Sequence, residues 1–134
     1  MASPKVATDV RDYLVSTLSI SNVTVGWLAD TPINQYAVFE YQGPPNIKTH
    51  GATANPGGIA LDEAMIQVMH RHSSNQTAMN NIFAVVDALD GLRDQTINGT
   101  VYTYMRLWSR PRILEKQEDG STIFIAEFHA QALR

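Results

Sequence analysis

At 134 residues, with 44% hydrophobic and 17% charged side chains, the chain fits one folded domain with a real core and excludes a disordered tail. A net charge of -3, from 10 Lys and Arg against 13 Asp and Glu, excludes a field that would hold nucleic acid without specificity. The lack of cysteine excludes disulfides, thiolate metal sites and cysteine nucleophiles, and is compatible with a reducing compartment.

Residues 1–5 lack the basic patch and apolar run of a signal peptide, and no window approaches the roughly 18 apolar residues of a membrane span. The expectation is a soluble intracellular product with no membrane partner. The sequons at Asn22, Asn75 and Asn98 then carry no meaning.

Ser3-Pro4 suits an N-cap followed by proline at the first helical position. Val6, Val10, Tyr13, Leu14 and Leu18 recur at helical spacing with Asp9, Arg11 and Asp12 off that stripe, which predicts an amphipathic helix over residues 4–18. Residues 23–28 and 36–41 are β-branched and aromatic and predict two strands, turned at Asp30-Thr31-Pro32 and stopped by Gly43-Pro44-Pro45. Proline, glycine and asparagine dominate the next stretch, so a long flexible loop is expected at about 43–59, either ordering against a partner or a plain insertion.

Residues 64–72 alternate, with Ala64, Ile66, Val68 and His70 on one face and Met65, Gln67, Met69 and Arg71 on the other; apolar content on both faces predicts a central strand. Ser73 with Gln76 forms a capping-box pattern for a second helix, with Met79, Ile82, Phe83, Val86 and Leu89 as its buried stripe. Gly91 and Leu92 suit a Schellman ending. Asn98-Gly99 is a two-residue hairpin signal, and Asp119-Gly120 marks another turn. Between them a strand alternates Val101, Thr103, Met105 and Leu107 with Tyr102, Tyr104, Arg106 and Trp108, ending or bulging at Pro111 and resuming at 113–116. The last strand, 122–130, puts Phe124, Ala126, Phe128 and Ala130 on one face. The fold class is α+β, a mainly antiparallel β-sheet with two amphipathic helices packed on one face, in a single domain spanning 1–134.

His70 and His72 share a strand face and could hold a metal ion, but a third ligand is needed, and Asp62, His50 and His129 have no motif spacing that recruits them. Asp62-Glu63 and Asp87 with Asp90 are paired carboxylates by spacing; Asp87 and Asp90 share a helix end with Gly91, where solvated acids are ordinary and a general acid/base role is disfavoured. Gly51, Gly57 and Gly58 lack the Gly-Lys-Ser/Thr of a phosphate cradle, and no serine sits in a nucleophile elbow. The remaining cluster is Arg106, Trp108, Arg110 and Arg112, with Tyr102 and Tyr104 in the same register. It reads as a half-exposed sheet face with snorkelling arginines, as a subunit contact, or as a stacking surface for single-stranded nucleic acid, the last disfavoured by the acidic balance.

The run from Asn81 to Leu92, then Ile97-Asn98-Gly99-Thr100-Val101-Tyr102, then Arg106 to Arg112, then Glu118-Asp119-Gly120 to Phe124 and Phe128, resembles the tail terminator proteins of long-tailed bacteriophages, also described as tail completion or minor capsid proteins. The strand Ile66 to Arg71 and the N-terminal helix fit the same pattern. The resemblance implies a non-enzymatic subunit without cofactor or metal, forming a homo-oligomeric ring, a hexamer. Such a ring would cap the completed tail tube, end its polymerisation and offer a docking face to head-side connector proteins. DNA would pass through without being read. It would be assembled in the bacterial cytoplasm and sit in the virion at the head–tail junction. Lys48, His50, Asn55, Arg106, Trp108, Arg110 and Arg112 are the candidate subunit or tube contacts. The competing readings are another phage neck protein, such as a head-completion adaptor, and a metal-dependent enzyme built on His70 and His72.

Overall fold

The computed structural model describes residues 5–41, 47–50 and 59–133. Its chain order is α1 (Val6–Leu18), β1 (Val23–Val25), β2 (Gln35–Tyr41), β3 (Ile47–His50), β4 (Ile59–His72), α2 (Asn75–Leu89), β5 (Leu92–Ile97), β6 (Thr100–Lys116) and β7 (Thr122–Leu133). The strands form a 7-stranded sheet in the order β1-β2-β4-β7-β6-β5, with β3 pairing β4 on the side that β2 occupies. Every neighbouring pair is antiparallel except β1 with β2, which run parallel. The fold is α+β, as expected. β4 is central, with β2 and β3 on one side and β7 on the other, which accounts for its apolar residues on both faces.

Both helices pack on one face of the sheet. Val6, Val10 and Leu14 of α1 and Ala78, Ile82, Val85 and Leu89 of α2 meet Ile66, Val68, Phe124, Ala126, Phe128 and Ala130 in one buried cluster. The expected stripe of the last strand is therefore realised, because alternate residues of a strand share a face. On the opposite face a smaller cluster of Ala37, Met69, Ile123 and Ile125 is covered by Leu28 and Phe39.

The segment between β1 and β2 is fixed from beneath by Arg71, which is buried on that smaller face. Its Nε donates to the Ile33 carbonyl at 2.9 Å, and its Nη2 donates to the carbonyls of Ala29, Asp30 and Pro32. The buried Gln35 amide adds bonds to Ala29, accepting from its N–H at 2.9 Å and donating to its carbonyl at 2.8 Å. A segment without regular structure thus satisfies its backbone on two buried side chains.

Several local expectations are corrected. Helix α1 starts at Val6 behind Lys5, which makes no side-chain cap; Ser3 and Pro4 lie outside the described residues. Asp9 does not lie on a polar face: it is buried, where its Oδ2 accepts from the Tyr102 hydroxyl at 2.5 Å and its Oδ1 from Asn98 Nδ2 at 3.0 Å. Helix α2 is capped by Ser74, not Ser73. The Ser74 hydroxyl accepts from the Thr77 N–H at 3.3 Å, while Gln76 donates to Asn80 one turn on instead of closing a capping box. Phe83 is 38% exposed, and Val85 takes the inward position instead. The end of α2 is not a Schellman motif: Asp90 is extended, and the Gly91 N–H (φ +88) donates to the Met105 carbonyl at 2.9 Å, delivering the chain directly into β5.

Asn98 (φ 50) and Gly99 (φ 80) both take positive φ, the type I′ geometry that their sequence demands. Within the stretch expected as a loop, residues 47–50 form β3 against residues 59–62 of β4; residues 42–46 and 51–58 lie outside the described residues. Strand β6 runs on through Pro111, with register shifts at Tyr102/Tyr104, Leu107/Ser109, Ser109/Arg112 and Ile113/Glu115. The first shift separates two tyrosines expected in one register: Tyr102 turns into the helix-side core, and Tyr104 faces the other way beside Gln131.

Candidate functional site

Strand β6 is the element that leaves the body of the sheet with one side open. Strand β5 pairs it only from Thr100 to Met105, while β7 pairs it as far as Lys116. Beyond Met105, therefore, β6 is an edge strand among the described residues. Its bulges and its proline make that edge irregular, which is how natural edges limit unwanted pairing.

On this edge the expected stripe divides. Arg106 is exposed, and its guanidinium lies 5.4 Å from the Tyr104 ring centroid and 5.9 Å from that of Trp108. Trp108 is 55% exposed and meets His129 edge-on, with ring centroids 5.6 Å apart. Arg110 is exposed and has no ion-pair partner among the described residues. Arg112 is held inside the subunit: its Nη1 donates to the Ser109 hydroxyl at 2.9 Å and its Nη2 pairs with Glu127 at 2.5 Å. The second Glu127 oxygen accepts from the Tyr41 hydroxyl. Burial pushes the Glu127 carboxyl up, but the bonds from Tyr41 and Arg112 outweigh it and hold it below the usual range. Arg106, Trp108 and Arg110 are thus the outward members of the set, and Arg112 is a brace.

Beneath Arg106 and Trp108 lies a polar layer. The Tyr104 hydroxyl sits 3.1 Å from His129 Nδ1, His129 Nε2 lies 3.8 Å from Glu63 Oε1, and Gln131 Nε2 donates to the same Glu63 oxygen at 3.1 Å. These contacts fix the platform on which the exposed aromatic and arginine stand. Of the other candidates, Lys48 and His50 lie on β3 at register positions opposite Leu61 and Ile59, with β4 and β7 standing between them and β6. Asn55 lies outside the described residues.

The histidine pair is occupied by structure. His70 is 1% exposed; its Nδ1 lies 3.0 Å from the Gln35 carbonyl and its Nε2 3.0 Å from Asn81 Nδ2. A carbonyl only accepts, so Nδ1 carries the proton and Nε2 accepts from the amide, which leaves no lone pair for a metal. Its ring stacks on Tyr36 at 3.9 Å, and burial lowers its pKa to about 4. His72 Nδ1 accepts from the Ser74 N–H at 2.9 Å, at the start of α2. Among the described residues no three His, Asp or Glu side chains stand together as a metal site. Asp90 is structural as well: its Oδ1 accepts from the Leu107 N–H at 2.8 Å and ties the end of α2 to β6. None of the described helices is long and apolar enough to cross a membrane.

Sequence reasoning missed a second surface, at the far end of the sheet. A groove of about 500 Å³ opens between the start of α1 and the β1–β2 edge, lined by Lys5, Val6, Ala7, Val25, Phe39 and Glu40 among others. Burial, then the nearby Asp62, raises the Glu40 pKa. Val25 is 49% and Trp27 66% exposed beside it. The only sequence signal was the shortness of the β-branched run before Gly26, which marks a weak edge strand.

A family model described as bacteriophage tail terminator protein matches residues 41–134, which take in β3 through β7 and both sides of the open β6 edge. No curated protein matches the chain. Among solved structures, a chain of the virion of a native gene transfer agent particle is similar, with a TM-score of 0.58 at 18% identity over 93% of this chain and 92% of that one. That likeness takes in more of the chain than the family match, which leaves out residues 1–40.

Proposed function

We propose, since this chain belongs to the bacteriophage tail terminator family, that it closes into a ring which caps the completed tail tube, stops further addition of tube subunits and receives the head-side connector. The chain is a structural assembly protein of the phage tail and neck, with its place in the virion at the head–tail junction. A terminator has to occupy one face of a growing lattice without reproducing that face on its far side. Surface complementarity suffices for that, and no reaction is needed.

The observation that carries the reading is the open half of β6, an exposed strand with Arg106 and Trp108 standing on a polar layer of Tyr104, His129 and Glu63 and with Arg110 exposed beyond them. Arginine and aromatic residues are enriched at protein interfaces, and an edge strand adds main-chain donors and acceptors. The contact repeats head-to-tail around a ring, a hexamer, whose opening passes DNA without reading it.

Electron microscopy of polymerising tube protein tests the proposal. Added in excess, this protein should arrest growth at a uniform length with a ring on one end; tubes that lengthen unchecked would sink it. Particles assembled without it should carry overlong tails. Finished tails beside unjoined heads would instead identify a head-completion adaptor.

A further inference from the structure

Among the described residues, Val15 and Phe83 are exposed large apolar side chains on the helices, and the other six fall in two regions: Val25 (49%), Trp27 (66%) and Ile33 (41%) on β1 and the segment that follows it, and Trp108 (55%), Ile113 (56%) and Leu114 (45%) on the open half of β6. These are opposite ends of one sheet, with β4 and β7 between them. Monomeric proteins seldom keep two such patches, and Val25 and residues 108–114 lie on strand edges.

The two ends are also opposite in charge. The open half of β6 carries Arg106, Arg110 and Lys116 against one acid of its own, Glu115, while Arg112 is paired with Glu127 of β7. The other end carries exposed Asp30 and Glu40, with Lys5 at the helix side of the groove. Glu40 has no salt-bridge partner among the described residues, and partial desolvation at the groove and the nearby Asp62 raise its pKa, so an arriving cation would favour its anion. The groove below it is mostly apolar, lined by Val6, Ala7, Val25 and Phe39, with room for a few aliphatic side chains.

We infer that residues 108–116 of one copy of this chain seat on the β1–β2 edge of a second copy, with Ile113 and Leu114 over the groove and Arg110 against Glu40. This deepens the ring reading and rests on it. The two patches differ and lie at opposite ends of the subunit, so the contact cannot be satisfied about a two-fold axis. Repeated, it must close into a ring or run on as a filament.

The absence of cysteine makes a direct test available. Val25→Cys and Ile113→Cys replace exposed side chains and should leave the fold unchanged. In the oligomer, formed alone or on purified tail tubes, the double variant should oxidise to a ladder reaching the full ring. Each single variant should give no cross-link, and their mixture should stop at dimers. Glu40→Arg and Arg110→Glu should each weaken association about tenfold or more, and the double variant should restore it. A ring of wild-type size without a ladder, or rings indifferent to both reversals, overturns the edge contact and leaves the ring standing. A single variant that dimerises with itself overturns the head-to-tail geometry. Failure of the wild type to oligomerise, alone or on tubes, fails the ring reading first and this contact with it.

Discussion

The Tyr102 hydroxyl donates a hydrogen bond to the Asp9 carboxylate, joining α1 to β6 across 93 positions of sequence. Both residues are buried, Tyr102 completely, and Asn98 of the hairpin turn donates to the other Asp9 oxygen. Burial, then this bond and the Asp9 charge, pushes the Tyr102 pKa up. A buried carboxylate next to a phenol is costly unless each satisfies the other. Tyr102→Phe should therefore lower stability by about 1–3 kcal/mol in urea unfolding. Asp9→Ala combined with Tyr102→Phe should cost less than the sum of the single changes, because they remove one interaction.

His70 predicts an acid-side weakness. Its folded pKa is about 4, below its ordinary value of 6.5, because burial disfavours the cation. Between those values the unfolded chain binds more protons, so stability falls as pH drops. The His70 contribution is full above about pH 6.5 and is lost progressively toward pH 4, by roughly 3 kcal/mol at the limit. Thermal melts should show this loss, and His70→Gln should flatten it. By NMR the His70 ring should stay neutral at pH 5.5, and a midpoint near 6.5 would refute the assignment.

Phe128 and Phe83 separate what the core holds from what it does not. Phe128 is fully buried in the helix-side core, and Phe128→Ala should cost about 3–5 kcal/mol. Phe83 is 38% exposed, so Phe83→Ala should cost about 1 kcal/mol or less. Urea midpoints of the two variants measure the contrast.

Arg71 should govern the segment between β1 and β2. Lysine has no planar fork with which to reach the carbonyls of Ala29, Asp30, Pro32 and Ile33. Arg71→Lys should lower stability by roughly 1.5–3 kcal/mol. Hydrogen exchange should show loss of protection over residues 27–34 while β4 and β7 stay protected.

Arg106→Ala and Trp108→Ala should leave the unfolding midpoint within about 0.5 kcal/mol of wild type, since both side chains are exposed. Both should weaken oligomerisation measured by light scattering. Arg112→Ala should behave differently: it removes the Glu127 ion pair and the Ser109 bond, so some stability should go with it.

Local rules with a single solution were readable from sequence. Asn98-Gly99 had to turn with positive φ, and Phe124, Ala126, Phe128 and Ala130 had to share a face. The alternation in residues 64–72 reported β4 and its central place for the same reason. What stayed hidden depended on distant partners. Asp9 sits where helical periodicity expects a solvated acid, and only Tyr102 and Asn98 explain its burial. Ser73 and Ser74 are equivalent as caps until His72 accepts the Ser74 N–H and fixes the start of α2. The bulge between Tyr102 and Tyr104 broke the period-two count, so a stripe that looks continuous in sequence is divided between two faces. Of the candidate surface, the alternation in β6 made the exposure of Arg106, Trp108 and Arg110 readable, while the groove beside Val25 and Glu40 comes from the parallel β1–β2 pairing, which no sequence signal gave.

Strand β7 pairs with β4 along its whole length and with β6 on its other side, and it supplies Phe124, Ala126, Phe128 and Ala130 to the helix-side core. During synthesis it follows everything else that it holds together. Without it, the helix-side core keeps Ile66 and Val68 of β4 but lacks the four β7 side chains, and β4 lacks its longest neighbour. Such non-local closure is slow, and it comes as one late step. A chain without β7 therefore has nothing to join the β5–β6 hairpin to β4, and the open half of β6 has no strand to stand on.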